Sequence, residues 1–212
     1  MKRAPEPIPF QLQRGVHPTT QPTQLNDTDA VLREVHHCVR NNFQIIVSLI
    51  NLQRRVVPEE ARGGIHFIEE HVQAMAVVYR IADVRAGMRV SLNRLVQEVV
   101  DILRDVTGVA SDVVKVSIPQ TDNTIEQRRA VALALLLAIM VPTAVLESRP
   151  DASATVAVEL RIEPNVGFIL SITANWKALQ HDPLRKRLTN AYLRQLTATA
   201  DADERDVRVR FR

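Results

Sequence analysis

Two long apolar runs of helical period, separated by one proline, constrain this chain more than any other feature. Leu32, Val35, Val39, Asn42, Ile46, Leu49, Gln53 and Val56 alternate as a and d of a heptad, and Phe43 and Ile50 widen the stripe. Asn26, Asp27 and Thr28 offer N-caps ahead of it. Pro58 stops that helix and suits the first position of the next, where Glu59 and Glu60 favour the first turn. Ile65, Ile68, Val72, Met75, Ala76, Tyr79 and Ala82 continue with the same period, and Gly63 and Gly64 weaken the start. Helices joined by so short a turn form an antiparallel hairpin. One hairpin cannot cover both sides of its own stripe, so a second copy is expected to complete a four-helix bundle, giving a homodimer.

Beyond Gly87 the texture changes. Ser91 should cap a helix to about Asp105, and Val113–Ile118 alternates as a strand does. Asn123 with Glu126 reads as a capping box opening the apolar helix that runs to Glu147. Strands follow near 154–162 and 167–174, then a helix from Asp182-Pro183 to about Thr197, and VRVRF closes as a strand. The expected fold class is α+β, with a leader at 1–26, the hairpin at 27–86 and an α/β sandwich at 87–212.

Composition removes several classes of function. The net charge is +3, only four of the 27 basic residues are lysines, and there are eight aromatics, so dense basic clusters with stacking residues are missing and no nucleic-acid partner is expected. The run Ala130–Leu146 is too short for a membrane span and carries Pro142 and Thr143, so it should be a buried core helix, kinked or ended early at the proline. Residues 1–26 hold five prolines and no apolar signal segment; with Cys38 the only cysteine, a cytoplasmic location is expected.

EVHHCVRNNFQ raises the question of chemistry. The heptad puts His36 at e, the edge of the core, and His37 at f, farthest from the seam. Arg33, Glu34, Arg40, Asn41 and Gln44 share the outer face with His37. An imidazole titrates near pH ~6.5, so its neutral nitrogen is available as a nucleophile, and arginines pair with phosphoryl oxygens. A solvated histidine without a role satisfies the same pattern. A metal site drawing on His66 and His71 lacks any tight ligand spacing, and no metal is expected. Glu69 and Glu70, like Arg185, Lys186 and Arg187, read as solvated helix faces, although those three basic residues could meet an acidic partner.

LREVHHCVRNNFQIIVSLINLQRR resembles the dimerisation and phosphoacceptor helix of bacterial sensor histidine kinases of the HisKA_2, HWE-related class. VQAMAVVYRIAD is similar to that family's second helix and SLNRLVQEVVDIL to the entry into its catalytic domain. The resemblance implies that His37, the second of the pair, is the phosphoacceptor. Cys38 stands where the family usually has arginine.

The second half resembles the family's ATP-binding domain in outline. LALLLAIMVPTA holds the place of the motif whose asparagines and glutamate bind magnesium and phosphates, with Ala138, Ile139 and Thr143 at those positions. Magnesium needs oxygen ligands, which alanine and isoleucine do not supply. SITANWKAL holds the place of the adenine-reading motif, with Ala174 for its aspartate and Trp176 for its glycine. No glycine follows Gly167, so the family's glycine-rich lid has no counterpart.

The resemblance therefore implies a histidine phosphotransferase on a degenerate kinase scaffold. Phosphoryl groups would pass between receiver-domain aspartates through His37, with no cofactor of its own, magnesium coming with the response-regulator receiver. Trp176 would plug the vacated pocket. A sensor histidine kinase is a further possible partner. A non-catalytic adaptor, or a receiver phosphatase using Asn41 or Gln44 to place water, would carry the same residues.

Overall fold

The computed structural model describes residues 23–148, 155–174, 182–203 and 205–212. Most of the expected leader, together with Trp176, lies outside the described residues. The first helix, α1, spans Thr23–Val56, opening ahead of the expected caps at 26–28. Pro58 precedes a short 3-10 turn, Glu59–Ala61, rather than the second helix itself. That helix, α2, is Arg62–Ile81, with Gly63 and Gly64 in its first turn. The longer α1 leaves its N-terminal stretch projecting past the end of α2.

After the hairpin come β1 (Arg89–Ser91), α3 (Leu92–Thr107), β2 (Val114–Ser117), β3 (Thr124–Glu126) and α4 (Gln127–Ser148). They are followed by β4 (Val156–Glu163), β5 (Gly167–Thr173), α5 (Pro183–Leu196), β6 (Thr199–Ala202) and β7 (Asp206–Phe211). Ser91 caps α3 by accepting the Arg94 N–H at 3.1 Å, and Gly108 ends it in the left-handed region at φ 66°. Asp182 caps α5 through the N–H groups of Leu184 and Arg185. The fold class is α+β.

Five strands form one sheet in the order β2-β4-β5-β7-β6, parallel between β2 and β4 and antiparallel elsewhere. One face is apolar. Val156, Val158, Leu160, Leu170, Ile172, Val207 and Val209 all point into the core, while Glu159, Arg161, Arg208 and Arg210 alternate on the other side. Gly167 is required at its place, since its φ is 106° and a Cβ there would come within 2.6 Å of the Phe211 carbonyl oxygen.

The structure departs from the sequence reading at one expected cap, adds a strand and decides between two readings of a proline. The capping box at Asn123 and Glu126 is a strand instead, because pairing β3 with β1 sets Ile125 opposite Val90 and buries both. β6 carries no sequence signal, since its four residues are exposed and show no apolar alternation. Pro142 does not end α4, which continues to Ser148 because helices and sheet pack around it. In α4 the 127–147 stretch is long and apolar enough to cross a membrane, and 83% of its apolar window is buried in the fold.

Candidate functional site

His37 lies on the exposed side of α1, and Arg33, Glu34, Asn41 and Gln44 share that surface. The amide nitrogen of Asn41, one turn on, lies 3.3 Å from His37 Nδ1. Cys38 Sγ is 3.8 Å from Glu34 Oε1, so both neighbours of the imidazole are occupied with each other. Gln44 is on the rim of a groove of about 320 Å³ between α1, α2 and α3, near Arg80 and Ile102.

Arg40 is not part of this face. Its Nη2 donates to the carbonyls of Tyr79 at 3.2 Å and Arg80 at 3.1 Å. Those carbonyls belong to the last turn of α2, where acceptors have no helical partner and the dipole favours a cation. The heptad places Arg40 beside His37 in sequence, but the end of α2 claims its guanidinium.

His36 turns the opposite way from His37 and is only 3% exposed. Its ring centroid is 5.7 Å from that of Tyr79, and its Nε2 is 3.5 Å from the Gln127 amide nitrogen at the start of α4. Burial, then the charge of Arg40, lowers its pKa and favours the neutral ring. The adjacent histidines thus divide: one anchors the hairpin to the second half, the other faces solvent.

In the place of the nucleotide motif, Ala138 and Ile139 are fully buried. Thr143 is also buried; its hydroxyl donates to the Ile139 carbonyl at 2.6 Å and accepts from Arg185 Nη1 of α5. Ala174 is buried at the end of β5. Arg185 also pairs with Asp182 at 3.2 Å, and its guanidinium carbon lies 5.5 Å from the Phe67 ring centroid of α2. So α5 and α2 both close on α4 at this point. Among the described residues no three His, Cys, Asp or Glu side chains gather as a metal site requires.

Glu69 and Glu70 are not solvated, at 2% and 6% exposed, because α2 is covered on its far side by α4 and the hairpin's own turn. Arg54 Nη1 pairs with Glu69 at 3.2 Å, and His66 Nδ1 lies 3.8 Å from the same carboxylate. Burial pushes the Glu70 carboxyl up to about 7, with Arg185 pulling down and Glu69 adding to the rise. His71 donates from Nδ1 to the Phe67 carbonyl at 2.7 Å, and burial lowers its pKa. Sequence reasoning missed this cluster. The signal available was that Val72–Ala82 is apolar almost all round, the mark of a helix covered on two sides.

Residues 34–107 match the model of the HisKA_2 family, described as histidine kinase. The sensor histidine kinase PdtaS of Mycolicibacterium smegmatis is 30% identical over 118 residues, 55% of this chain and 23% of the relative. PdtaS of Mycobacterium tuberculosis is 27% identical over 142 residues, 66% of this chain and 28% of the relative. The chain thus spans about a quarter of the length of these relatives. In fold it is similar to the histidine kinase domain of the Erythrobacter litoralis EL346 blue-light activated histidine kinase, with TM-score 0.58 and 16% identity over 88% of this chain and 95% of that one.

Proposed function

We propose, from the premise that residues 34–107 are a histidine-kinase segment of a two-component signalling protein, that this chain relays phosphoryl groups through His37 without using ATP. The observation that carries this reading is the contrast between two sites: the imidazole of His37 is exposed, whereas Ala138 and Ile139 are buried where oxygen ligands for magnesium would be needed. Thr143 is engaged by Arg185, and α5 and α2 occupy the ground beside it.

The transfer asks little of this chain beyond positioning. A receiver domain brings an aspartyl phosphate and its own magnesium. With Nδ1–H held by the Asn41 side-chain oxygen, after a rotation of the amide, the Nε2 lone pair faces outward. Nε2 attacks phosphorus in line, the P–N bond forms, the P–O bond to the aspartate breaks, and the electron pair leaves with the carboxylate. Return to a second receiver reverses the step. Arg33, unpaired among the described residues, is placed to steady the phosphoryl oxygens, and the groove beside Gln44 is a docking place for the receiver.

The exposed apolar residues Ile45, Leu49, Leu52 and Val56 of α1, with Ile68 of α2, form the seam of a homodimeric four-helix bundle. The reaction belongs in the cytoplasm, where receivers reside. The test is incubation with labelled ATP and, separately, with a labelled phosphorylated receiver. Label is expected only from the receiver and only with His37 present. Label taken from ATP, or retained at the same rate by His37→Ala, would overturn the proposal; free phosphate released without labelled protein would favour a phosphatase.

A further inference from the structure

A cavity of about 270 Å³ lies where α2, the end of α3, α4 and α5 meet, away from His37. Phe67, Val106, Val145 and Leu146 give it apolar walls, Glu70 and Arg185 are its charged groups, and His66 and Thr107 also line it. Glu70 is 6% exposed and has no hydrogen-bond partner among the described residues, although it lines a void. Arg185 has given Nε to Asp182 and Nη1 to Thr143, and Nη2 carries no hydrogen bond among the described residues. The cavity therefore presents a carboxyl that opens onto it, a guanidinium with a free donor, and an apolar wall between four helices, which is the make-up of a small-molecule site.

We infer that this cavity binds a small zwitterion of the α-amino-acid class with an apolar side chain. Its ammonium pairs with Glu70, its carboxylate meets Arg185, and its side chain packs on Val106, Val145, Leu146 and Phe67. A plain amine would leave the free Arg185 donor without an acceptor, and a plain acid would leave Glu70 without a cation. Only a ligand with both charges answers both groups. Because the walls come from the hairpin and from the second half, occupancy fastens α2 to α4 and α5.

The inference uses neither His37 nor phosphotransfer, so the two stand or fall separately. Calorimetry on the whole chain would use L-leucine and L-phenylalanine, with 3-methylbutylamine and 4-methylpentanoate as analogues of leucine that each lack one charge. One of the amino acids is expected to bind, each analogue roughly tenfold or more weaker, and Glu70→Gln to weaken binding by a similar factor. Since Glu70 titrates near neutrality, binding at pH 7 should release a proton and make the observed heat depend on the buffer. Absence of heat and of any thermal shift with both amino acids at about 10 mM overturns the inference, since ~10 mM lies well above a useful affinity. So does equal binding by either leucine analogue, or by Glu70→Gln.

Discussion

The side-chain amide of Asn41 sits 3.3 Å from His37 Nδ1, one helical turn away on the same exposed face. With the amide rotated so that its oxygen accepts from Nδ1–H, this contact leaves the Nε2 lone pair outward, the nitrogen that the proposed relay would phosphorylate. Asn41→Ala is expected to slow phosphotransfer from a receiver about fivefold, the worth of one hydrogen bond near 1 kcal/mol. Nitrogen NMR of the His37 ring should show the population of the Nδ1–H tautomer fall. An unchanged tautomer ratio would remove Asn41 from the mechanism.

Arg40 gives the opposite expectation from its sequence neighbours. Its guanidinium holds the Tyr79 and Arg80 carbonyls at the end of α2. Arg40→Ala should therefore destabilise the fold, by about 1–2 kcal/mol for a charged donor shared between one half-buried and one exposed acceptor. Urea unfolding reads that loss. If transfer rate instead falls a hundredfold with stability unchanged, Arg40 reaches the phosphoryl group after all.

The apolar seam on α1 makes a prediction about assembly. Leu49 and Leu52 are each 59% exposed on one chain, and together with Val56 and Ile68 they leave a stripe that water would otherwise cover. Sedimentation of the wild type should give a dimer, and Leu49→Glu with Leu52→Glu a monomer that keeps its far-ultraviolet dichroism. A wild-type monomer at ~10 μM would refute the bundle, since a stable obligate interface stays assembled at that concentration.

How far the sequence reveals this protein depends on how local the determining physics is. The heptad of α1, the stop at Pro58, the caps at Ser91 and Asp182 and the alternation of β4, β5 and β7 are set by nearest neighbours, and these are legible. The outward turn of His37 and the burial of Ala138 and Ile139 follow from the same periodicity. The features that escape a sequence reading need long-range contacts. Glu126 prefers β1 to a capping role because Ile125 finds Val90 across the ladder. Arg40 prefers a helix end 39 residues away. Glu69, Glu70 and Arg185 look solvated on a helical wheel, and only long-range packing buries the two carboxylates and half-covers the guanidinium.

Glu70 supplies the clearest pH signature. Burial first, and then the charge of Glu69, raises its carboxyl from the ordinary 4.5 to about 7, against the pull of Arg185. Between those values the folded chain holds a proton that the unfolded chain has released. Stability from this group is thus fully present below about pH 4.5 and is lost as pH rises through 7. His71 beside it runs the other way, since its pKa is lowered and its neutral form is favoured on folding. Of the charged neighbours, Arg185 and Glu69 act on Glu70 directly, and His66 adds positive charge to Glu69 only when protonated. Glu70→Gln removes the Glu70 contribution alone. Relative to wild type, the variant should gain about 1–2 kcal/mol between pH 5 and pH 8, since a tenfold change in proton affinity corresponds to about 1.4 kcal/mol and part of the group remains wet. Urea unfolding of both proteins at the two pH values measures the change. A difference that is the same at pH 5 and pH 8 would mean that Glu70 is ionised in the fold throughout, with a donor supplied from elsewhere.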